Sequence, residues 1–206
     1  MEKQYRRLDQ AARETGFSGV ISIQREETRL FCRAYGLRNV QDHLPNTPET
    51  RFGLASGTKL FTALGIGRLI DQGRISLGTS VGEIGGEFQG FIDPHATVLQ
   101  LLTHTSGIYD YFDEEIEQDW DHFFVEIPWY RLETPSDYLP LFINRPLKFL
   151  PGERYSYSNG GYVLLGILIE RLSGQLYRDF IQEQVLAPAG MSHSGFFALN
   201  DLPKNT

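Results

Sequence analysis

The 206-residue sequence has little cysteine, no long apolar run and a wide gap in its positive charge. Its single cysteine, Cys32, excludes a disulfide within one copy of the chain. No apolar stretch reaches the roughly 18–20 residues that a membrane-spanning helix needs, so we expect no membrane span. Between Arg74 and Arg131 there are 11 acidic residues and no basic one, and the net charge is −7. This charge excludes a nucleic-acid partner, whose phosphates require a basic surface.

A secretory leader and a metal site are also missing from the sequence. The start, "MEKQYRRLDQAARETG", is charged and lacks the apolar segment of a leader. This predicts a cytoplasmic protein, or an exported one whose leader has been removed. The five histidines show no paired spacing such as His-x-x-x-His, so we expect no metal and no other cofactor.

An acidic run occupies residues 110–121, which hold seven of the acidic side chains. Its simplest interpretation is a solvated loop or helix face. If the run borders a binding site, it repels anionic substrates and favours neutral or cationic ones.

Apolar periodicity and turn residues predict an α+β fold. Two β-rich runs around the polar turn "REET" predict a hairpin over residues 18–39. A two-stranded hairpin is marginal alone, so it should join a larger sheet, for which only "SGFFAL" at 194–199 offers a further strand. Helices are predicted at residues 2–14, 58–72, 96–106, 160–173 and 176–187. Glycines 73, 107 and 174 stand where left-handed helix ends belong.

Ser56 and Lys59 stand three residues apart at the head of an apolar helix. This spacing places both side chains on one face, so the amine can reach the hydroxyl. An amine that loses hydration among apolar neighbours can accept a proton from a serine hydroxyl, and a helix N-terminus favours a developing anion. The alternative is ordinary, because serine often caps a helix and lysine usually extends into solvent.

Tyr157 and Asn159 lie two residues apart just before the helix at 160–173. In an extended segment, alternate side chains point the same way, so the phenol and the amide can face one cleft. Gly160 and Gly161 allow a close backbone approach there. The alternative is a tyrosine packed by its ring beside an asparagine that caps the helix.

The two stretches together resemble the serine β-lactamase and penicillin-binding-protein superfamily. The resemblance is closest to its branch of class C β-lactamases, D-alanyl-D-alanine carboxypeptidases and related esterases. It runs from about Phe17 to the last residue and is carried, in the family's order, by "FGLASGTKLFTALGIGRLIDQGRISL", "LLTHTSGI", "FLPGERYSYSNGGYVLLGILIERLSG" and "VLAPAGMSHSGF".

This resemblance implies a helical lobe packed on an antiparallel sheet and a role for each of the motif residues. Ser56 would be the nucleophile that forms an acyl-enzyme, and Lys59 its proton partner. Tyr157 would be the general base and acid that also protonates the leaving group. Asn159 would contact a substrate amide, and His104 would be a hydrogen-bonded scaffold residue. How Lys59 and Tyr157 share a proton is left open.

The sequence departs from the family at its third motif, which is Lys or His, any residue, then Gly. No Lys-x-Gly occurs, and the single His-x-Gly, at residues 193–195, falls where the family has a turn. We therefore expect an incomplete domain over residues 1–206, with the first helix and hairpin in 1–50 and a mainly helical lobe carrying both motifs in 51–206. Its missing strands are explained by a shortened chain, by a second polypeptide that completes it, or by a non-catalytic remnant.

The expected function is that of a serine hydrolase acting on small esters, amides or D-amino-acid peptides. Loss of one oxyanion donor reduces rates by about 10²–10³, so weak or no activity is expected from this chain. The alternatives are a binding or regulatory protein with this fold, or a β-lactamase proper. The exposed hairpin edge favours pairing with a second copy as a homodimer.

Overall fold

The computed structural model describes residues 2–85, 92–116, 119, 123–143, 145–198 and 201–206. They fall into two compact units, one formed by Met1–Leu54 with Phe196–Thr206 and the other by Ala55–Gly195. Helices and antiparallel strands occur together, which confirms the predicted α+β class. That both units belong to one incomplete domain stays a prediction.

The first unit consists of one helix and two antiparallel ribbons. Its elements are helix α1 (Glu2–Glu14) and strands β1 (Gly19–Arg25), β2 (Thr28–Tyr35), β3 (Leu37–Asn39) and β4 (Leu44–Pro45). Strand β1 pairs with β2 as the predicted hairpin, and β3 pairs with β4. Helix α1 contacts β2 through the Tyr35 hydroxyl, which donates to Asp9 over 3.0 Å.

The larger sheet expected around the hairpin is absent from the described residues, where each ribbon has two strands. Residues 194–198 form no strand, so the prediction of a strand at 194–199 is wrong for the part that the structure describes. The predicted homodimer through the hairpin edge stays a prediction.

The second unit is mainly helical. Its helices are α2 (Lys59–Asp71), α3 (Val81–Ile84), α4 (Val98–Leu102), α5 (Asn159–Ser173) and α6 (Tyr177–Ile181), with 3-10 turns at Ala55–Thr58, Trp129–Arg131 and Pro135–Leu141 and a π-helical turn at Gln182–Leu186. Helices α2, α5 and α6 meet in the core of this unit. A Cβ on Gly65 of α2 would lie 2.6 Å from Cδ1 of Ile181 and 2.9 Å from Cδ1 of Ile169, so a larger residue would require these side chains to shift. Glycine at this position therefore permits close packing of α2 against α5 and α6.

Polar caps define where the short helices begin. Ser80 caps α3 in a capping box with Glu83, and Thr97 caps α4 with Gln100 in the same way. Residues 78–82 read Gly-x-Ser-x-Gly, a pattern also found at the nucleophile of α/β-hydrolases. Here the Ser80 hydroxyl accepts the Glu83 backbone N–H over 3.3 Å, so its role is structural.

The structure corrects the sequence predictions for one helix and for part of the acidic run. The helix expected at 96–106 spans only Val98–Leu102, because His104 has a left-handed φ of 59° that interrupts the helical path. The acidic run at 110–121 is not simply a solvated face, since Asp110 is 1% exposed and Asp113 7% exposed. Positions 117, 118, 120 and 121 of this run lie outside the described residues.

Candidate active site

Ser56 lies in the 3-10 turn that leads into helix α2 and is exposed. The preceding residue, Ala55, has a φ of 44°, in the left-handed region that ordinarily favours glycine. The N-cap of α2 is Thr58, and it makes no side-chain cap bond. The alternative role of Ser56 as the cap of this helix is therefore not what the structure shows.

Lys59 is the first residue of α2, and its half-buried amine points at two oxygens. Nζ donates to Ser56 Oγ over 3.3 Å and to Asn159 Oδ1 over 2.8 Å. It also lies 4.7 Å from the centroid of the Tyr157 ring. The expectation that apolar side chains of α2 surround this amine is wrong. Leu60 is 61% exposed and Leu64 47% exposed. The amine is instead surrounded by polar and aromatic groups from residues 157–162.

Tyr157 lies in the extended segment before α5 and reaches the same serine. Its hydroxyl donates to Ser56 Oγ over 2.7 Å. The hydroxyl, the amine and the phenol therefore meet within bonding distance, although about a hundred residues separate the two motifs. All four residues singled out in the sequence, with Asn159 as the fourth, are brought together here.

Asn159 opens α5, and its side-chain amide is fully engaged. Its Oδ1 accepts from Lys59, while its Nδ2 donates to Asp110 Oδ2 over 3.1 Å and to the Phe112 carbonyl over 3.3 Å. The cap of α5 is Ser158, whose hydroxyl accepts the Gly161 N–H over 3.0 Å. The alternative of a capping asparagine is thus not observed.

Asp110 is a buried carboxylate beside these residues that the sequence did not single out. It accepts the backbone N–H of Asn159 over 2.7 Å and that of Gly160 over 2.9 Å. Burial raises the pKa of Asp110, and the N–H donors of Asn159 and Gly160 oppose that rise. The sequence did not indicate its burial because Asp110 belongs to an acidic run, which is typical of a solvated segment. The flanking aromatic residues Tyr109 and Tyr111 are a local sign that favours burial.

His104 contacts the segment that carries Tyr157 through a hydrogen bond and through its ring. Its Nδ1 accepts the Ser158 N–H over 3.1 Å, and its ring lies 4.5 Å from the Tyr157 ring between centroids. Burial lowers the pKa of His104, and the nearby Lys59 charge lowers it further, so the neutral ring that can accept this bond is favoured. The hydrogen bond expected of a scaffold histidine is present.

Lys148 holds a second buried charge cluster next to the same segment. Its Nζ lies 2.7 Å from Asp113 Oδ2 and 3.1 Å from Glu115 Oε2, and it donates to Ser156 Oγ over 2.6 Å. This amine therefore joins the loop that carries Asp110 to the residue before Tyr157. The cluster was also missed in the sequence, since nothing local marks Lys148 as buried.

The remaining sequence predictions concern His193, metal sites and membrane-spanning helices. His193 lies in a turn in which the Ser194 N–H donates to the Met191 carbonyl over 3.1 Å, as expected for this stretch. Among the residues that the structure describes, no group of three His, Cys, Asp or Glu side chains could hold a metal ion. None of the described helices is long and apolar enough to cross a membrane.

Comparison with known proteins gives consistent likenesses. A family model described as Beta-lactamase matches residues 6–204. Penicillin-binding protein 4* of Bacillus subtilis is 33% identical over 180 residues, which make up 86% of this chain and 38% of that protein. The crystal structure of a penicillin binding protein from Bacillus halodurans has a TM-score of 0.88 at 38% identity, covering 96% of this chain and 60% of that chain.

A third likeness is to the D-amino acid amidase of Ochrobactrum anthropi, solved with D-phenylalanine. It has a TM-score of 0.71 at 25% identity and covers 94% of this chain and 52% of that chain. The chain thus spans less than two thirds of the length of each of these relatives. The predicted fold is confirmed by these likenesses, while the class C branch and the missing third motif stay predictions.

Proposed function

Because the chain belongs to the Beta-lactamase family, we propose that it is a serine hydrolase acting through an acyl-enzyme on Ser56. The observation that carries this proposal is the meeting of three groups at Ser56 Oγ. The Tyr157 hydroxyl lies 2.7 Å away and the Lys59 amine 3.3 Å away. A phenol and an amine within hydrogen-bonding distance of a serine hydroxyl can serve as the adjacent base that activates it for acyl transfer.

In the acylation step, Ser56 Oγ attacks the substrate carbonyl carbon and gives its proton to the ionised oxygen of Tyr157. Tyr157 then passes that proton to the leaving alcohol or amine as the carbonyl–leaving-group bond breaks, leaving the acyl group on Ser56. In deacylation, water attacks the acyl carbon and gives a proton to the Tyr157 oxygen, which passes it to Ser56 Oγ as the bond between the acyl carbon and Ser56 Oγ breaks. Which of Tyr157 and Lys59 loses the first proton is a property of the pair, because the two groups interact.

Lys59 supplies positive charge throughout these steps. Its amine donates to Ser56 Oγ over 3.3 Å and lies 4.7 Å from the centroid of the Tyr157 ring, so its positive charge is next to the reacting oxygen. The N-terminus of the 13-residue helix α2 adds positive partial charge on the same side. Together they support the anion that develops at the attacked carbonyl.

The proposed substrates are small esters, amides and D-amino-acid peptides. Support comes from the likeness to the Ochrobactrum anthropi protein, which is a D-amino acid amidase. The acidic run gives less support than the sequence suggested, because Asp110 and Asp113 are buried and paired. The predicted contact between Asn159 and a substrate amide would replace one of the bonds that its side chain now makes.

A second candidate function is penicillin binding without efficient turnover. The likeness to two penicillin-binding proteins from Bacillus favours it. Weak turnover by this chain, expected from the sequence, is compatible with both candidates.

Labelling with a fluorophosphonate probe and with a fluorescent penicillin, followed by denaturing electrophoresis, tests the nucleophile. We expect covalent labelling that Ser56→Ala abolishes and that Ser80→Ala, a structural serine on α3, leaves unchanged. Equal labelling of Ser56→Ala and the unaltered chain would overturn the proposal. Hydrolysis of p-nitrophenyl esters and D-amino acid p-nitroanilides is then compared with hydrolysis of nitrocefin, and preferential nitrocefin turnover would identify a β-lactamase instead.

A further inference from the structure

The side-chain amide of Asn159 has one orientation that its surroundings accept. Both of its Nδ2 hydrogens are used, one toward Asp110 Oδ2 and one toward the Phe112 carbonyl. A flipped amide would place its oxygen against these two acceptors and its NH₂ group against the Lys59 ammonium. The observed orientation is therefore required by Asp110 and by the Phe112 carbonyl together.

Asp110 is a buried residue whose carboxylate is hydrogen-bonded to the start of α5. It is only 1% exposed, and its two oxygens accept three N–H groups from Asn159 and Gly160. Two of these donors are the first backbone N–H groups of the 15-residue helix α5, whose N-terminus favours a carboxylate. Ser158 accepts the next one, from Gly161. Asp110 therefore accepts two backbone N–H groups of the first turn of α5 that have no acceptor within the helix.

We propose that Asp110 is a positioning residue of the active site, which acts on Lys59 through Asn159. The carboxylate fixes the Asn159 amide so that Oδ1 faces the Lys59 amine at 2.8 Å. That acceptor holds the amine within reach of Ser56 and over the Tyr157 ring. Asp110 itself touches neither the serine nor the substrate. The kinetic part of this inference rests on the proposed function, whereas the structural part stands on the hydrogen bonds alone.

Asp110→Asn tests the inference with Asp137→Asn as a matched control. Both carboxylates accept backbone N–H groups at the start of a helical segment, but the donors to Asp137 are Glu133 and Thr134, which belong to a different segment. An asparagine at position 110 has one acceptor oxygen for three donors and turns its NH₂ group toward at least one of them, so its hold on the Asn159 amide is weakened. Asp110→Ser, which leaves room for a water molecule, replaces Asp110→Asn if that variant fails to fold, as judged by thermal unfolding.

The first readout needs no turnover. The Asn159 side-chain amide signals in a ¹⁵N–¹H spectrum, assigned by their loss in Asn159→Ala, should be shifted and protected from exchange in the unaltered chain and in Asp137→Asn. In the Asp110 variant they should move to the position of a solvated amide and exchange rapidly. Signals that stay unchanged in the Asp110 variant would overturn the inference, whatever the activity of the chain.

The second readout is the rate of Ser56 labelling by the fluorophosphonate. Asp110→Asn should lower it ~10- to 100-fold, as misplacement of a reacting group does, and Asp137→Asn should change it less than about threefold. In an Asn159→Ala background, Asp110→Asn should add less than about threefold, because its intermediary is already gone. Labelling of Asp110→Asn at the unaltered rate would overturn the positioning role. Absence of Ser56 labelling in the unaltered chain would instead refute the proposed function.

Discussion

Ser56 Oγ accepts two hydrogen bonds at once, from the Lys59 ammonium and from the Tyr157 hydroxyl. With both donors protonated, the serine proton has no acceptor within this trio. Attack on a carbonyl therefore requires that one proton first leaves the pair of Lys59 and Tyr157. The shorter contact, 2.7 Å, is to the phenol, so the phenol is the natural acceptor once it is ionised.

Tyr157→Phe removes this acceptor and keeps the ring that packs on His104 and under the Lys59 amine. Since general acid–base catalysis contributes about 10²–10⁴ in rate, we expect Ser56 labelling by the fluorophosphonate to fall by at least about a hundredfold. Thermal unfolding should be nearly unchanged. The matched control is Tyr155→Phe, because Tyr155 also contacts the His104 ring but is 61% exposed. Labelling of Tyr157→Phe at the unaltered rate would show that Lys59 alone accepts the proton.

At the scale of elements, the loop from Thr103 to Phe112 binds the segment that carries Tyr157 and the start of α5, where Asn159 lies. Gly107 is the tightest point of this loop. It has a φ of +71°, and a Cβ there would lie 1.9 Å from the Phe149 carbonyl oxygen. Its own carbonyl accepts the Lys148 N–H over 2.8 Å. The close approach of these two segments brings Asp110 and Lys148 to the site.

Gly107→Ala should destabilise the chain by about 3 kcal/mol, since it combines left-handed backbone strain with a steric clash. Gly73→Ala is the control, because Gly73 has a φ of +69° and open space around its Cβ position. It should lose only about 1 kcal/mol. Urea denaturation with a common slope measures both differences. Equal losses for the two variants would contradict the close approach at Gly107.

The sequence predicts the elements that local patterns determine. Helices α2 and α5 were predicted within about two residues because each has an apolar stripe and a glycine near its end. The contact between Ser56 and Lys59 follows from helical spacing. The contact with Tyr157 does not, since it joins distant segments, and only the family resemblance predicted it. Asp110 was missed because its burial depends on tertiary contacts with α5.

At the scale of the whole molecule, the buried Asp110 and the half-buried His104 change stability with pH in opposite directions. Burial raises the pKa of Asp110, so the folded chain binds more protons there than the unfolded chain does. This contribution to stability is present below about pH 4 and is lost as the pH rises through the raised pKa. His104 has the opposite sign, because burial, with the Lys59 charge second, lowers its pKa.

His104→Asn separates the histidine contribution from the rest. Between its lowered folded pKa and the usual value near 6.5, the unfolded chain binds more protons at His104, so stability falls as the pH falls. Asparagine tolerates the left-handed φ of 59° and offers an oxygen to the Ser158 N–H, but it does not titrate. We therefore expect the free energy of unfolding, measured by urea at pH 5–8, to slope less steeply in the variant. For one proton, the difference in slope is at most about 1.4 kcal/mol per pH unit.

His43→Asn, at an exposed residue with a φ of 53°, controls for the effect of replacing a histidine that has a left-handed backbone conformation. If His104→Asn keeps the full slope of the unaltered chain, folding does not favour the neutral form of His104.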